Sequence, residues 1–247
     1  MRILATYSIK GGVGKTTSAV NLAREAAASG GRVLVWDLDP QGAATYFFRI
    51  RPKVKGGTQR LVSAKGDLVE HIRASDLPGV HVVPADFSLR NLDLHLDGSK
   101  RPIERLAALL AGVADRYDVA LLDCPPSISL ASESVFGAAG SLLVPVIPTT
   151  LSSRTLLQLS TFLATQEHPP ALLPYFSMVD GRKRLHRETM AELRAEWPDL
   201  LPTAIPAAST IERMGPERAP VASYDPTSNA AAAFKQLWAD IAARLWT

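Results

Sequence analysis

A glycine-rich segment near the start of the chain combines residue types that bind phosphate. Residues 10–17 read Lys-Gly-Gly-Val-Gly-Lys-Thr-Thr, and they lie between an apolar run at 3–9 and a helical pattern that starts at 18. Glycines let consecutive backbone N–H groups turn toward an anion without a Cβ clash. The spacing places Lys15 to reach the β- and γ-phosphates of a nucleotide and the Thr16 hydroxyl to ligate Mg²⁺.

This segment departs from the strict phosphate-loop pattern G-x-x-x-x-G-K-[ST] in one respect. Five residues before Gly14 the chain has Ile9 instead of glycine, and a further lysine, Lys10, follows it. A single phosphate cradle uses only one lysine. Lys10 is therefore either an exposed side chain without a role or a cation that neutralises phosphate from a different direction.

Carboxylates end two apolar segments further along the chain. Asp37 and Asp39 follow the run 32–36, and Asp123 closes the run 119–122. Residues two apart on an extended chain share a face, so the first two acids would point the same way. Open α/β sheets bind ligands at the carboxyl ends of their strands, where acids suit a Mg²⁺ shell or the orientation of water. The alternative for the first pair is an aspartate–proline turn that merely ends a strand.

Strand-like and helical segments alternate along most of the chain, which predicts the scaffold for these groups. The pattern is typical of an α/β fold of three layers, α/β/α, in which a mostly parallel twisted sheet has helices on both faces. A length of 247 residues suits one large domain, so we expect residues 1–247 to form a single domain. The predicted strands are 3–9, 32–36, 79–85, 118–122, 141–148, 172–179 and 201–205. The predicted helices include one over 102–116 and an amphipathic one over 230–246.

Three motifs together carry a family resemblance. Residues 10–17 resemble the deviant Walker A loop of the ParA/MinD family of P-loop ATPases. Residues 37–42 are similar to the second motif of ParA/Soj-type partition ATPases, and residues 118–126 are similar to their Walker B segment. The tail 205–225 has the layout Ile-Pro, Pro-Val and Tyr-Asp of the same family. The resemblance implies a P-loop NTPase fold, binding of ATP and Mg²⁺, and slow hydrolysis of ATP to ADP and phosphate.

The resemblance also implies roles for individual residues. It implies ATP contacts from the whole loop: Lys10, Gly11, Gly12, Val13, Gly14, Lys15, Thr16 and Thr17. The implied ligands of Mg²⁺ are Thr16, Asp39 and Asp123. Lys10, Lys15 and Asp39 are the implied catalytic residues, with Asp39 positioning and activating the attacking water and Asp37 supporting it. In this family the lysine that matches Lys10 crosses an ATP-sandwiched homodimer and touches the nucleotide of the other subunit.

Basic residues in the C-terminal half raise the question of DNA. The family binds DNA without sequence preference as the ATP-bound dimer, and this resemblance implies a cytoplasmic protein on the nucleoid whose hydrolysis a ParB-like or other activator protein stimulates. The DNA-binding candidates are Arg182, Lys183, Arg184 and Arg187, with Arg213 and Arg218 as second choices. Contacts to phosphates would make binding blind to sequence and sensitive to salt. The alternative is a solvated start of a helix.

Composition excludes several other classes of protein. The 27 Lys and Arg residues nearly balance the 24 Asp and Glu residues, which allows a local DNA-binding patch without requiring one. The single cysteine, Cys124, cannot supply the ligands of an iron–sulfur cluster or form a disulfide within one chain. It is predicted to be a small buried residue and not a nucleophile. No apolar run approaches the roughly 20 residues of a membrane span, so we expect no stable membrane insertion.

Two alternatives to a partition ATPase remain open at this point. A MinD-like ATPase that positions itself on a membrane would use the C-terminal helix, but the nearly uncharged polar face of that helix favours packing on the sheet. Trp246, at the end of the helix, keeps this alternative open. A small ATP-dependent biosynthetic ligase resembling dethiobiotin synthetase would not need Lys10. Residues 49–60, with five basic side chains, are predicted to be a solvated loop, with DNA or a dimer interface as the alternative.

Overall fold

The computed structural model describes residues 1–63 and 66–246. Its centre is an eight-stranded sheet of order β3-β4-β2-β5-β1-β6-β7-β8, in which every described pair of strands is parallel except β3 with β4. The strands are β1 (Arg2–Thr6), β2 (Val33–Asp37), β3 (Arg73–Ala74), β4 (Val80–Val83), β5 (Val119–Asp123), β6 (Ser141–Val146), β7 (Ala171–Val179) and β8 (Ala204–Pro206). The predicted α/β fold with a mostly parallel sheet is confirmed.

Helices cover both faces of this sheet. The α-helices are α1 (Lys15–Ala28), α2 (Ala43–Phe47), α3 (Gly57–Leu61), α4 (Leu92–Asp97), α5 (Arg105–Ala111), α6 (Leu130–Ala138), α7 (Thr150–Leu163), α8 (Arg184–Glu196), α9 (Ser209–Glu212), α10 (Met214–Glu217) and α11 (Asn229–Leu245). Side chains of α1 and α11 belong to one hydrophobic core, and side chains of α4 to α7 belong to the other. The central strands β2 and β5 are buried along their whole length, as expected for parallel strands covered on both faces.

The position of β1 determines where the phosphate-binding segment lies. Although β1 is the first strand of the chain, it lies inside the sheet, with β5 on one side and β6 on the other. Thr6 is the register partner of Asp123, and Asp37 on β2 is the partner of the same residue from the other side. The sheet thus brings the ends of β1, β2 and β5 together.

The C-terminal helix packs into the core, as its apolar stripe predicts. Phe234, Leu237 and Ile241 of α11 are almost completely buried beside α1 and β8. Ser228 caps the helix, and its hydroxyl accepts a hydrogen bond from the Ala231 N–H at 3.2 Å. Among the described residues, no helix is both long enough and apolar enough to cross a membrane.

Several element boundaries differ from the prediction. Residues 57–60 of the expected loop 49–60 form α3 together with Leu61, because Leu61 packs into the core and the Thr58 N–H donates to the Ser88 hydroxyl. The predicted helix over 102–116 is shortened to α5, which ends before Gly112. The last strand begins at Ala204 and not at 201. The antiparallel edge strand β3, with two residues, is too short to give a period of two in the sequence.

Candidate functional site

The loop between β1 and α1 has the backbone conformation that a phosphate cradle requires. Gly12 and Gly14 have φ angles of 69° and 96°, a region that other residues rarely adopt. A Cβ atom on Gly14 would also lie 2.9 Å from the Ser177 hydroxyl oxygen. Because α1 begins at Lys15, its first N–H groups face the loop and favour an anion there. Both the positive φ angle and the close approach of Ser177 therefore disfavour a side chain at position 14.

The two lysines of the loop have opposite environments. Lys15 is only 7% exposed, and its Nζ donates to the Lys10 carbonyl oxygen at 3.3 Å, so its side chain lies back across the loop. Burial lowers the pKa of Lys15, and the nearby charge of Asp123 opposes this effect. Lys10 is exposed, and its ammonium group forms no ion pair within residues 1–63 and 66–246. The Lys15 side chain thus packs against its own loop, whereas the Lys10 side chain is open to solvent.

Asp123 is the most deeply buried acid of the site. Its side chain is completely inaccessible, and its Oδ1 accepts a hydrogen bond from the Thr6 hydroxyl at 3.2 Å. Its Oδ2 is buried and has no hydrogen-bond partner in the described part of the chain. Burial raises the pKa of Asp123 well above the usual range, and the neighbouring Asp37 raises it further, while the Thr16 hydroxyl opposes the rise.

Asp37 shapes the backbone that carries Asp39. Asp37 is fully buried, and its Oδ2 accepts hydrogen bonds from the Thr45 N–H at 2.8 Å and the Thr45 hydroxyl at 2.7 Å. Its Oδ1 accepts from the Asp39 N–H at 3.2 Å. Burial raises the pKa of Asp37 as well. Asp39 is only partly buried, and its Oδ1 accepts from the Gln41 N–H at 2.9 Å. Asp39 is therefore the more accessible acid, and Asp37 is positioned to support it.

These side chains fit a divalent cation. The unpartnered oxygen of Asp123 and the neighbouring Asp37 and Asp39 create buried negative charge, which a cation would neutralise. The described residues contain no group of three or more His, Cys, Asp or Glu side chains arranged to hold a metal alone. Mg²⁺ does not need such a group, since it usually keeps several waters and takes ligands from phosphates. Thr16 and Asp123 are the residues placed to hold it, with Asp39 nearby.

A cavity beside the loop was missed in the sequence analysis. Its volume is about 370 Å³, and its walls come from the phosphate loop and α1, α2, the end of β7 and the segment from β8 to α10. The apolar lining includes Phe47, Ile211, Met214 and Phe234, which suits a flat aromatic group. These residues are distant in sequence and belong to no motif. The Ile-Pro layout at 205–206 was the one signal that pointed to this wall.

Asn21 joins this wall to α1. Its amide donates to the Thr17 carbonyl oxygen at 2.7 Å and to the Met214 sulfur at 3.2 Å. Its Oδ1 accepts from the Val221 N–H at 2.8 Å. The helix that follows the phosphate loop is thus tied to a segment 200 residues later.

The segment after Asp123 lies against the mouth of the loop. Pro126 is close enough to Gly11 that a Cβ there would lie 3.9 Å from its ring. The Tyr7 hydroxyl donates to the Ser127 carbonyl oxygen at 2.7 Å and so fixes this segment to the end of β1. Cys124 is buried, and burial raises the pKa of its thiol, so it has none of the features of a nucleophile.

The first-choice DNA-binding residues lie between the end of β7 and the first turn of α8. We call Arg182, Lys183, Arg184 and Arg187 the basic surface. Arg182 pairs with Asp180 at 2.9 Å and Arg184 pairs with Glu188 at 2.7 Å, while Arg187 donates to the Gly181 carbonyl oxygen at 2.8 Å. All four side chains are exposed.

The second-choice DNA residues are engaged elsewhere. Arg213 pairs with Glu217 at 2.7 Å and lies over the Tyr224 ring. Arg218 donates to the Tyr46 carbonyl oxygen at 3.2 Å and lies over the Tyr46 ring.

Known proteins resemble this chain over nearly its whole length. A profile described as an AAA domain matches residues 1–169. The chain is 30% identical to the sporulation initiation inhibitor protein Soj of Bacillus subtilis, with 98% of each protein covered. It is 33% identical to the chromosome-partitioning ATPase Soj of Thermus thermophilus, with 99% of this chain and 97% of the relative covered. Among solved structures, cobyrinic acid a,c-diamide synthase of Mycobacterium smegmatis with bound ADP and magnesium superposes with a TM-score of 0.81 at 25% identity, covering 100% of this chain and 95% of that one.

Proposed function

We propose that this chain couples ATP hydrolysis to the positioning of a cargo. It belongs to the ParA/Soj family of P-loop partition ATPases. The protein is a ParA-like ATPase that uses ATP and Mg²⁺. We infer that residues 1–247 act as one ATPase domain and that ATP joins two copies face to face. The homodimer binds DNA of any sequence on the nucleoid, and a ParB-like or other activator protein stimulates hydrolysis and release.

The observation that carries this proposal is the contrast between the two lysines. Lys15 already reaches across the loop and is buried, whereas Lys10 is exposed and has no anionic partner among the described residues. A second cation at the loop mouth has no phosphate to neutralise from its own subunit. A nucleotide held by a second copy, face to face with the first, would provide that phosphate.

An apolar groove next to Lys10 supports the same arrangement. It has a volume of about 260 Å³ and is lined by Tyr7, Ile9, Ile128 and Phe162 among others. Ile128 is 61% exposed, so part of this apolar lining is open to a partner. We infer that the second copy covers this groove when ATP is bound.

The chain's own groups account for hydrolysis. The loop N–H groups and Lys15 bind the phosphates, and Asp39 orients the attacking water. Asp37 holds the Asp39 backbone through the hydrogen bond between them. Thr16 and Asp123 would hold Mg²⁺, which would neutralise the negative charge that develops on the phosphates. The cavity bordered by Met214 accommodates the base.

The basic surface is the proposed DNA contact. Its exposed ion pairs contribute little to folding and can exchange a carboxylate for a DNA phosphate at small cost. Such contacts position the protein on DNA without reading its sequence.

The test is Lys10→Ala, with Lys100→Ala as a control that removes an equally exposed lysine remote from the loop. We expect wild type and the control to sediment as dimers with a slowly hydrolysed ATP analogue and to bind a non-specific DNA duplex at low salt. Lys10→Ala should stay monomeric and lose ATP-dependent DNA binding while still binding the nucleotide. ATP-dependent DNA binding by Lys10→Ala at the wild-type level would contradict the sandwich dimer.

A second candidate function follows from the solved structure. The likeness to a protein described as a diamide synthase supports an ATP-dependent ligase acting on a small carboxylic acid. In that case ATP turnover would require the acceptor molecule, would not respond to DNA, and would survive Lys10→Ala. The MinD-like alternative is less well supported, because the apolar stripe of α11 is buried in the core and Trp246 packs against Trp238.

A further inference from the structure

The short helix α2 belongs to two parts of the nucleotide site at once. In the middle of this helix, Thr45 donates both its N–H and its hydroxyl to Asp37, which also accepts from the Asp39 N–H. At its end, Phe47 forms part of the wall of the 370 Å³ cavity, opposite Met214 and Gly215. A displacement of α2 would therefore change the cavity and the Asp39 loop together.

Side chains of Tyr46, Arg49 and Arg218, which we call the arginine clasp, fasten α2 to α10. The Arg218 guanidinium lies 4.4 Å from the centre of the Tyr46 ring, and its Nε donates to the Tyr46 carbonyl oxygen at 3.2 Å. The Tyr46 hydroxyl donates back to the Gly215 carbonyl oxygen at 3.3 Å. Arg49 donates to the Glu217 carbonyl oxygen at 2.9 Å and pairs with Asp76.

Two of the three clasp residues have strained backbones. In the described part of the chain, three residues other than glycine have a positive φ: Arg49, Met178 and Arg218. Met178 lines the cavity, and the other two belong to the clasp. Such conformations persist where the surrounding structure enforces them, and they concentrate at functional sites. Arg218 occupies a left-handed position after α10 that glycine would take without strain.

We propose that Tyr46 and Arg218 are positioning residues for ATP hydrolysis. By fixing α2 to α10, they hold the Asp37–Asp39 loop in place relative to the base-binding cavity. This role uses Arg218 inside one subunit and replaces its assignment as a second-choice DNA contact. The inference rests on the ATPase function proposed above, but it requires neither the dimer nor DNA.

The test is Arg218→Gly, because glycine removes the clasp and relieves the left-handed strain in the same change. We expect the melting temperature to stay equal or rise, while kcat without DNA falls about tenfold, as expected when a catalytic group is slightly misplaced. KM for ATP should change less than kcat. Arg101→Gly, which removes an exposed arginine that pairs with Glu104, is the matched control and should keep wild-type kcat.

Tyr46→Leu gives an independent check, since it removes the ring from the other side of the same contact. We expect its reduction of kcat to match that of Arg218→Gly, and the double variant to be no slower than either single one. Tyr46→Phe, which keeps the ring, should retain most of the activity.

Three outcomes would overturn the proposal. Unchanged kcat in Arg218→Gly would show that the clasp does not position the loop. A fall of kcat in proportion to a lower melting temperature would show a purely structural role. Loss of DNA affinity with unchanged basal hydrolysis would return Arg218 to the DNA surface. Failure of the wild type to hydrolyse ATP without DNA would instead count against the ATPase function itself.

Discussion

The carboxyl ends of β1, β2 and β5 and the basic surface both concentrate charge, but they hold it in opposite ways. At the strand ends Asp37 and Asp123 are completely buried, and their pKa values are raised because water is excluded. On the basic surface, the side chain of Arg182 is 91% exposed and its ion pair is open to solvent. The first region depends on the position of each atom, whereas the second depends on the sum of its charges.

The largest effect is expected for the buried Asp123 at the strand ends. Asp123→Asn should reduce kcat by roughly 100-fold or more, because it removes the charge next to the phosphates. Without nucleotide it should also raise the melting temperature, since a buried carboxylate is replaced by a neutral group of the same shape. A steady-state ATPase assay and a thermal melt measure both effects.

The increase in melting temperature of Asp123→Asn should depend on pH with a definite sign. The folded-state pKa of Asp123 is raised, so the folded protein binds its proton more tightly than the unfolded chain does. Its contribution therefore lowers stability as pH rises from the unfolded pKa toward the folded pKa. The advantage of Asp123→Asn should grow over that range, and a constant difference in melting temperature would contradict the assignment.

Thr45→Val tests the dependence on single atoms at the strand ends. The change removes the hydroxyl that donates to Asp37 at 2.7 Å and accepts from the Ala85 N–H at 2.8 Å. Because the buried Ala85 N–H is left without a partner and Asp37 Oδ2 loses one of its two hydrogen bonds, we expect the free energy of unfolding to fall by about 2 kcal/mol, together with a lower kcat. Urea denaturation measures the first effect. Thr161→Val, which removes an exposed hydroxyl of α7, should change both quantities much less.

The basic surface should respond to charge number. Replacing Arg182, Lys183, Arg184 and Arg187 by Gln should weaken ATP-dependent DNA binding and reduce the slope of log K against log salt by about 1 for each DNA phosphate that is no longer neutralised. A control with Arg73, Lys100, Arg101 and Arg116 replaced by Gln has the same net charge. Equally weakened binding in both variants would place the DNA-binding surface elsewhere.

The smallest expected effect lies on the same surface. Arg184→Ala breaks the exposed pair with Glu188, which has i,i+4 spacing on α8. Its free energy of unfolding should change by less than about 0.5 kcal/mol, because exposed pairs are screened by water. A urea melt of this variant beside Thr45→Val gives the contrast between the two regions directly. A destabilisation near that of Thr45→Val would mean that the basic surface also supports the fold.

Local patterns were enough to predict the parts of the site that lie on contiguous segments. The glycine loop at 10–17 and the acids that end β2 and β5 each follow an apolar strand, so their meeting at one sheet edge follows from the parallel topology. The order of the strands also explains why Asp37 raises the pKa of Asp123, but this register is not visible in the sequence.

The cavity beside the phosphate loop and the arginine clasp could not be predicted in this way. Phe47, Met178, Met214 and Phe234 lie in four segments whose proximity depends on the complete packing of the chain. The basic character of Arg218 suggested DNA, while its partner Tyr46 is 172 residues earlier. Similarly, α3 forms where a polar, glycine-rich sequence predicts a loop, because Leu61 finds a place in the core.

The position of β1 inside the sheet also has a consequence for how the protein is made. The ribosome synthesises the phosphate loop before β5 and β6, so β1 must wait for these later strands before both of its edges are paired. Asn21 receives the Val221 N–H only after a further 200 residues have been synthesised. Contacts at such separations slow folding. A nascent or truncated chain would therefore carry the full Walker A sequence without a finished nucleotide site.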